Sequence, residues 1–144
     1  MTSKRLIVLS SVIAALTCLA APAGAYAASG SPAPPTELSG TTVNHTAVTL
    51  VWAGQDTVTD GAWSQQPGRV PVGSVGGWKA VGGAGLSVRG IYAFGGTGYA
   101  VRFSAAVDPG QNNCQVIGPG GKPSDKYWCA STLDLDKRPQ LIVG

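Results

Sequence analysis

Few side chains in this chain are equipped for acid–base work. His45 is the sole histidine, and it alternates with Asn44 and Thr46 in an extended-looking run, so it reads as a structural or exposed imidazole rather than a general base. A serine–histidine–acid triad needs only spatial convergence, but no G-x-S-x-G elbow is present. Asp134 and Asp136 share a face if their segment is extended. Paired carboxylates can hydrolyse glycosidic bonds, yet these two read more simply as a solvated face. Asp56 and Asp60 lie in a polar stretch without the dense oxygen spacing of an EF-hand. Gly95-Gly96-Thr97-Gly98 lacks the lysine and following helix of a phosphate-binding loop. The expectation is a non-enzyme with no cofactor and no metal.

Cysteine chemistry depends on what remains after export. Lys4 and Arg5 precede an apolar run from Leu6 to Leu19, and Ala25-Tyr26-Ala27 fits the small-x-small cleavage pattern. Residues 1–27 are therefore expected to be a secretory leader, which would carry Cys18 away. Cys114 and Cys129 remain, and in an oxidising compartment an even count reads as a bridge. A metal site would need a histidine or third thiol nearby, and none is near in sequence. Residues 28–36 are rich in Ser, Pro and Ala and read as a tether, leaving residues 37–144 as one folded domain, secreted and extracellular. Ten Lys and Arg stand against seven Asp and Glu. Two of the ten leave with the leader, so no basic stripe survives and nucleic acid is not an expected partner.

The aromatic residues offer the better chemistry. Trp52 is in register with Val48 and Leu50, as a core indole should be. Trp63 and Trp78 sit in polar or glycine-rich stretches, and Trp128 follows Tyr127 inside the segment that the cysteines would close. Loop-borne indoles suit membrane interfaces or sugar faces, where one edge is apolar and the other wet. Trp63, Trp78, Tyr127 and Trp128 are therefore candidate contacts for lipid or another ligand. The Asn44-His45-Thr46 sequon matters only in a host that glycosylates exported proteins.

The elements that must position these side chains read as strands. Thr41–Ala53 is expected to be one strand, with Val48, Leu50 and Trp52 on one face. Gly85–Phe94 and Tyr99–Ala105, joined by the glycine turn at 95–98, form the clearest hairpin. Shorter strands are expected at 69–72, 78–81, 114–117, 127–133 and 141–143, and no segment after the leader has helical periodicity. The fold class is all-β, a single-domain antiparallel β-sandwich with one disulfide. The stretch Gly118–Asp125 reads as a loop that the bridge clamps.

The order of motifs resembles the aegerolysin family, in particular its bacterial branch of small insecticidal crystal proteins. The likeness runs through Val43-Asn44-His45-Thr46, Gly61-Ala62-Trp63-Ser64-Gln65-Gln66-Pro67, Gly82-Gly83-Ala84-Gly85, Val88-Arg89-Gly90-Ile91-Tyr92-Ala93 and Asp108-Pro109-Gly110-Gln111-Asn112. It implies a β-sandwich that binds membrane lipid peripherally, a larger pore-forming partner protein, and Trp63 and Tyr92 as family-like aromatic positions. The competing expectation is a disulfide-stabilised binding module or hydrolase inhibitor whose partner is an extracellular protein, bound through the clamped loop because preorganisation lowers the entropic cost of association.

Overall fold

The computed structural model describes residues 32–144 except Gln55; the expected leader and residues 28–31 lie outside the described residues. Among the described residues eight strands follow one another: β1 (Thr36–Asn44), β2 (Leu50–Trp52), β3 (Thr57–Gln65), β4 (Val75–Phe94), β5 (Ala100–Ala106), β6 (Asn113–Ile117), β7 (Cys129–Leu133) and β8 (Pro139–Val143). All eight belong to one sheet, with the path β6-β5-β4-β1-β8-β7 and with β2 and β3 paired to β4 off that path. The all-β class and the disulfide are as the sequence reads. The two layers of the expected sandwich, however, are two halves of one mixed sheet curled nearly into a barrel, and β1 runs parallel to β8 rather than antiparallel.

β4 makes the single sheet. Its first half pairs with β1 over Val75–Gly82 and its second half with β5 over Ser87–Ala93. Its other edge carries β3 and then β2. Along the strand Trp78, Ala80, Leu86, Val88, Tyr92 and Phe94 are buried at even positions, the period-two signature of one face turned inward. The inward side at Gly90 is filled by the Trp52 ring, which a Cβ there would overlap.

Between the halves lies Gly82-Gly83-Ala84-Gly85, a stretch that the sequence presents as a break between two strands. The chain instead stays extended and turns a corner. Gly61 of β3 pairs with Gly82 of β4 across a register shift, and a Cβ on Gly82 would fall on the Asp60 backbone and within 2.7 Å of Gly61 Cα. Asp60 takes a left-handed φ of 57°, which Asp tolerates better than most residues. Its carboxylate accepts a hydrogen bond from Gly85 N–H at 2.9 Å. Such bulges re-aim a strand and increase its twist.

The opposite margin of the sheet closes covalently. β6 and β7 are the two ends of the strand path, and Cys114 of β6 is bonded to Cys129 of β7. Both cysteines pack against the buried cluster. Beyond the bridge the margin opens into a cleft of about 350 Å³ whose walls include Leu38, Ala106, Val107, Leu133 and Pro139. Leu133 and Val107 are 42% and 45% exposed there.

Three strand expectations are corrected. The run Thr41–Ala53 is β1, a turn and β2, because Asn44 and Thr46 use their side chains to hydrogen-bond backbone and so compete with a continuing ladder. β3, in a stretch that the sequence presents as polar loop, is an edge strand paired on one side only, so almost none of its side chains need be apolar. Residues 69–72 supply only the Val70–Leu50 bridge.

The chain-entropy effect of a 15-residue cross-link amounts to about 3 kcal/mol. Replacing both cysteines by serine should lower unfolding stability by about 2–4 kcal/mol in urea titration, and amide exchange should accelerate first in β6 and β7 while β4 stays protected.

Candidate functional site

Four of the five aromatic side chains singled out by the sequence are held by the fold. Trp78 and Tyr92 are 2% and 1% exposed and belong to the core. Trp78 packs against Phe103 at 5.8 Å and edge-on to Trp63 at 6.1 Å, and Trp52 bridges Trp63, Tyr92 and Phe103. This aromatic column joins the two halves of the sheet, and its edge-to-face contacts add stability beyond area burial. Burial pushes the Tyr92 hydroxyl above the ordinary phenol range, with the Thr42 side chain opposing it. Trp63 is half-buried, and its indole N–H donates to the Asp56 carboxylate, so it anchors the segment ahead of β3. Tyr127 stacks on Phe94 at 4.4 Å and meets Tyr99 edge-on at 5.0 Å.

Trp128 is different. It is 54% exposed and lies over Gly144, with which it exchanges two backbone hydrogen bonds of 2.7 and 3.0 Å. The register shows what surrounds it. Val75 of β4 faces Val43 of β1, Val43 faces Ile142 of β8, and Ile142 faces Ala130 of β7. Directly opposed residues share a face, and in β1 and β8 the alternate positions Thr42, Asn44, Leu141 and Val143 are the buried ones. Val75, Val43, Ile142 and Ala130 therefore form an outward apolar row across four strands, and Trp128, two residues before Ala130, extends it at the margin. Val75 is 62% exposed. The next outward row is Gly77, Thr41, Gln140 and Thr132, polar or without a side chain. Trp128 was legible as a candidate; its apolar neighbours were not, because a mixed β1–β8 pairing cannot be read from local pattern.

Asn44 holds this end of the sheet. Its side chain is fully buried, and its Nδ2 donates to the carbonyls of Val48, Val70 and Pro71 at 2.8–3.2 Å. Its Oδ1 accepts from the backbone N–H and the hydroxyl of Thr46 at 2.9 and 2.7 Å. The sequon is thus a structural device, and its amide is spent inside the fold. Nearby, the Tyr99 hydroxyl donates to Asp125 at 2.9 Å, and this bond to a carboxylate holds the phenol above its ordinary value. The clamped loop is braced by Gly118 N–H donating to Lys122 C=O at 2.6 Å and by an Ile117–Pro123 bridge. Lys126 lies with its ammonium 5.2 Å from the Tyr127 ring centre.

The acid–base inventory is distributed rather than convergent. Asp134 accepts from the backbone N–H of Asp136 and Arg138 and from the Arg138 guanidinium, all at 2.9 Å. The Arg138 backbone bond, first, and then its guanidinium hold the Asp134 carboxyl below the usual range. Asp136 pairs with the same guanidinium at 3.0 Å. The two acids thus build the β7–β8 turn. Asp56 is committed to Trp63 and Asp60 to Gly85. Among the described residues no three His, Cys, Asp or Glu side chains cluster as metal ligands would, and no helix is long and apolar enough to cross a membrane.

Set against known proteins, the chain matches no family model and no curated sequence. The likeness to aegerolysins therefore rests on motif order. In this fold each of those motifs has a structural role. Asn44 ties the end loops, Gly61 and Gly82 form the corner, and Tyr92 packs the core. Asp108 caps the 3-10 turn Pro109–Gln111 by accepting from Gly110 N–H at 3.0 Å.

Asn44→Ala would remove the acceptor of the buried Thr46 N–H, while the carbonyls of Val48, Val70 and Pro71 keep the Thr46 hydroxyl, the Leu50 N–H and the Ser74 N–H as donors. A buried donor left unsatisfied costs about 1–3 kcal/mol, so chemical denaturation should show a loss of about that size, with the loops at 45–49 and 70–74 losing exchange protection first.

Proposed function

We propose that this chain is a secreted, disulfide-closed β-domain that acts without catalysis by binding membrane lipid peripherally, in the manner its aegerolysin-like motif order implies. The observation that carries the reading is the outward row Val75–Val43–Ile142–Ala130 ending at Trp128. A contiguous apolar band on an outer face marks an interaction surface more often than scattered single residues do. An indole at its margin is the side chain best suited to the polar–apolar boundary of a bilayer. Lys126, two residues before it in the chain, would offer a cation to a headgroup phosphate, and the row itself contains no ionised side chain. The bridge Cys114–Cys129 fits the oxidising compartment that export would supply.

A second reading has its own support. The loop 118–125 lies within the segment that the disulfide closes and is braced by the Ile117–Pro123 bridge and the Tyr99–Asp125 bond, so it would bind an extracellular protein, such as a hydrolase, with little ordering cost.

Co-sedimentation with vesicles of phosphatidylcholine, with and without sphingomyelin and cholesterol, separates the two. The lipid reading expects the protein in the pellet with at least one composition, and Trp128→Ala or Val75→Ser should weaken capture by roughly tenfold, the effect of about 1.4 kcal/mol of lost burial. Trp63→Ala, which removes a packed anchor, should lower the melting temperature instead. Absence of capture by every composition, together with saturable inhibition of an extracellular hydrolase, would transfer the function to the loop.

A further inference from the structure

The half of the sheet built from β3, β4, β5 and β6 has an outer face of opposite character. Thr57 of β3 faces Arg89 of β4, Arg89 faces Ser104 of β5, and Ser104 faces Asn113 of β6; one row further, Ile91 faces Arg102 and Arg102 faces Gln115. These side chains line a surface groove of about 430 Å³. Arg89 and Arg102 are diagonal neighbours across β4 and β5, roughly 7–8 Å apart by sheet geometry.

Neither guanidinium has a carboxylate partner among the described residues, where the ion pairs are Lys79–Glu37 and Arg138 with Asp134 and Asp136. Thr57, Asn113 and Gln115 likewise make no side-chain hydrogen bond there, and only Ser104 is engaged, donating to the Gln111 carbonyl at 3.3 Å. The face therefore gathers two like charges and several neutral hydrogen-bonding groups on rigid strands, with no acid among them. Like charges on neighbouring positions are unfavourable, and a bound dianion would remove that repulsion.

We infer that this groove is a binding site for a phosphate monoester, with Arg89 and Arg102 gripping the phosphate oxygens and Thr57, Asn113 and Gln115 meeting the polar group that carries it. Guanidinium forks match phosphate geometry and give charge-assisted hydrogen bonds. A phosphate monoester carries close to two negative charges at neutral pH, which matches the two cations. The groove exceeds the size of a bare ion, so it holds part of the attached group as well. The same chemistry could arrive on a soluble sugar phosphate or on a phosphorylated lipid headgroup.

Titration calorimetry of the full exported chain at fixed ionic strength tests this with glucose 6-phosphate and inorganic phosphate, and flotation with vesicles containing phosphatidylinositol 4-phosphate tests the membrane-borne source. The expected result is saturable binding of a phosphate probe, weakened about tenfold or more by Arg89→Gln and by Arg102→Gln and unchanged by Lys122→Gln. Melting temperatures of the two arginine variants should match the parent, because neither side chain holds the fold. Binding confined to the vesicles, and lost in both arginine variants, assigns the site to a headgroup; binding of the soluble sugar phosphate assigns it to a free ligand. Trp128→Ala should leave soluble phosphate binding intact, which separates this site from the lipid-facing row. Absence of saturable binding to every phosphate probe, or binding that both arginine variants retain, would overturn the assignment.

Discussion

One strand serves both halves of this sheet, and it can do so only where two backbones meet without side chains. At the corner, Gly61 of β3 lies against Gly82 of β4 so closely that a Cβ on Gly82 has no place to go. Asp60, in a left-handed conformation, fills the bulge and ties Gly85 with its carboxylate. Because β3 and β4 both pass through this corner, neither half of the sheet is an independent unit. The aromatic column between them, Trp63 and Trp78 from one half against Trp52, Tyr92 and Phe103 from the other, is the packing that the corner makes available. At the far margin no ladder joins β6 to β7, and the disulfide takes over that duty.

Two outer faces follow from that arrangement, and they differ chemically. On β4, β1, β8 and β7 the row that reaches Trp128 is apolar. On β3, β4, β5 and β6 the exposed positions are hydrogen-bonding groups with two arginines. Side-chain alternation along β4 means that each outward residue is set by its inward neighbours: the register that buries Tyr92 and Val88 also points Arg89 and Ile91 outward. The surface chemistry is thus fixed by the same pleat that builds the core, and a shift of one residue would exchange the two.

What the sequence made legible was local. The β4–β5 hairpin, the strand at 114–117 and the cysteine pair follow from alternation, turn chemistry and an even thiol count, all of which act over short spans. Two things were not legible, and a third only in part. The corner was hidden because a Gly-Gly-Ala-Gly run looks like a break, and only its partner β3, itself too polar to announce a strand, shows that the chain continues. The parallel β1–β8 pair joins residues 99 apart, as at Thr41 and Gln140, and no local pattern encodes it. The aromatics were half legible: glycine-rich surroundings made Trp78 look like a loop indole, whereas the ring is buried and needs the space above Gly40. The aegerolysin-like motifs are corners, caps and core positions in this fold, so they bear on its architecture, and the lipid reading is carried by the outward row.

Of the four indoles, Trp128 alone stands on an outer face, and the other three are locked into the packing between the sheet halves. Quenching by brominated phospholipids reads this directly, since bromine at a known acyl depth extinguishes only indoles that enter the bilayer. The prediction is that vesicle-bound protein loses part of its tryptophan emission, that Trp128→Phe abolishes this quenching, and that Trp63→Phe leaves it intact. Quenching that persists in full without Trp128 would contradict a lipid-facing row, because the membrane would then be meeting a face of the molecule that the fold keeps closed.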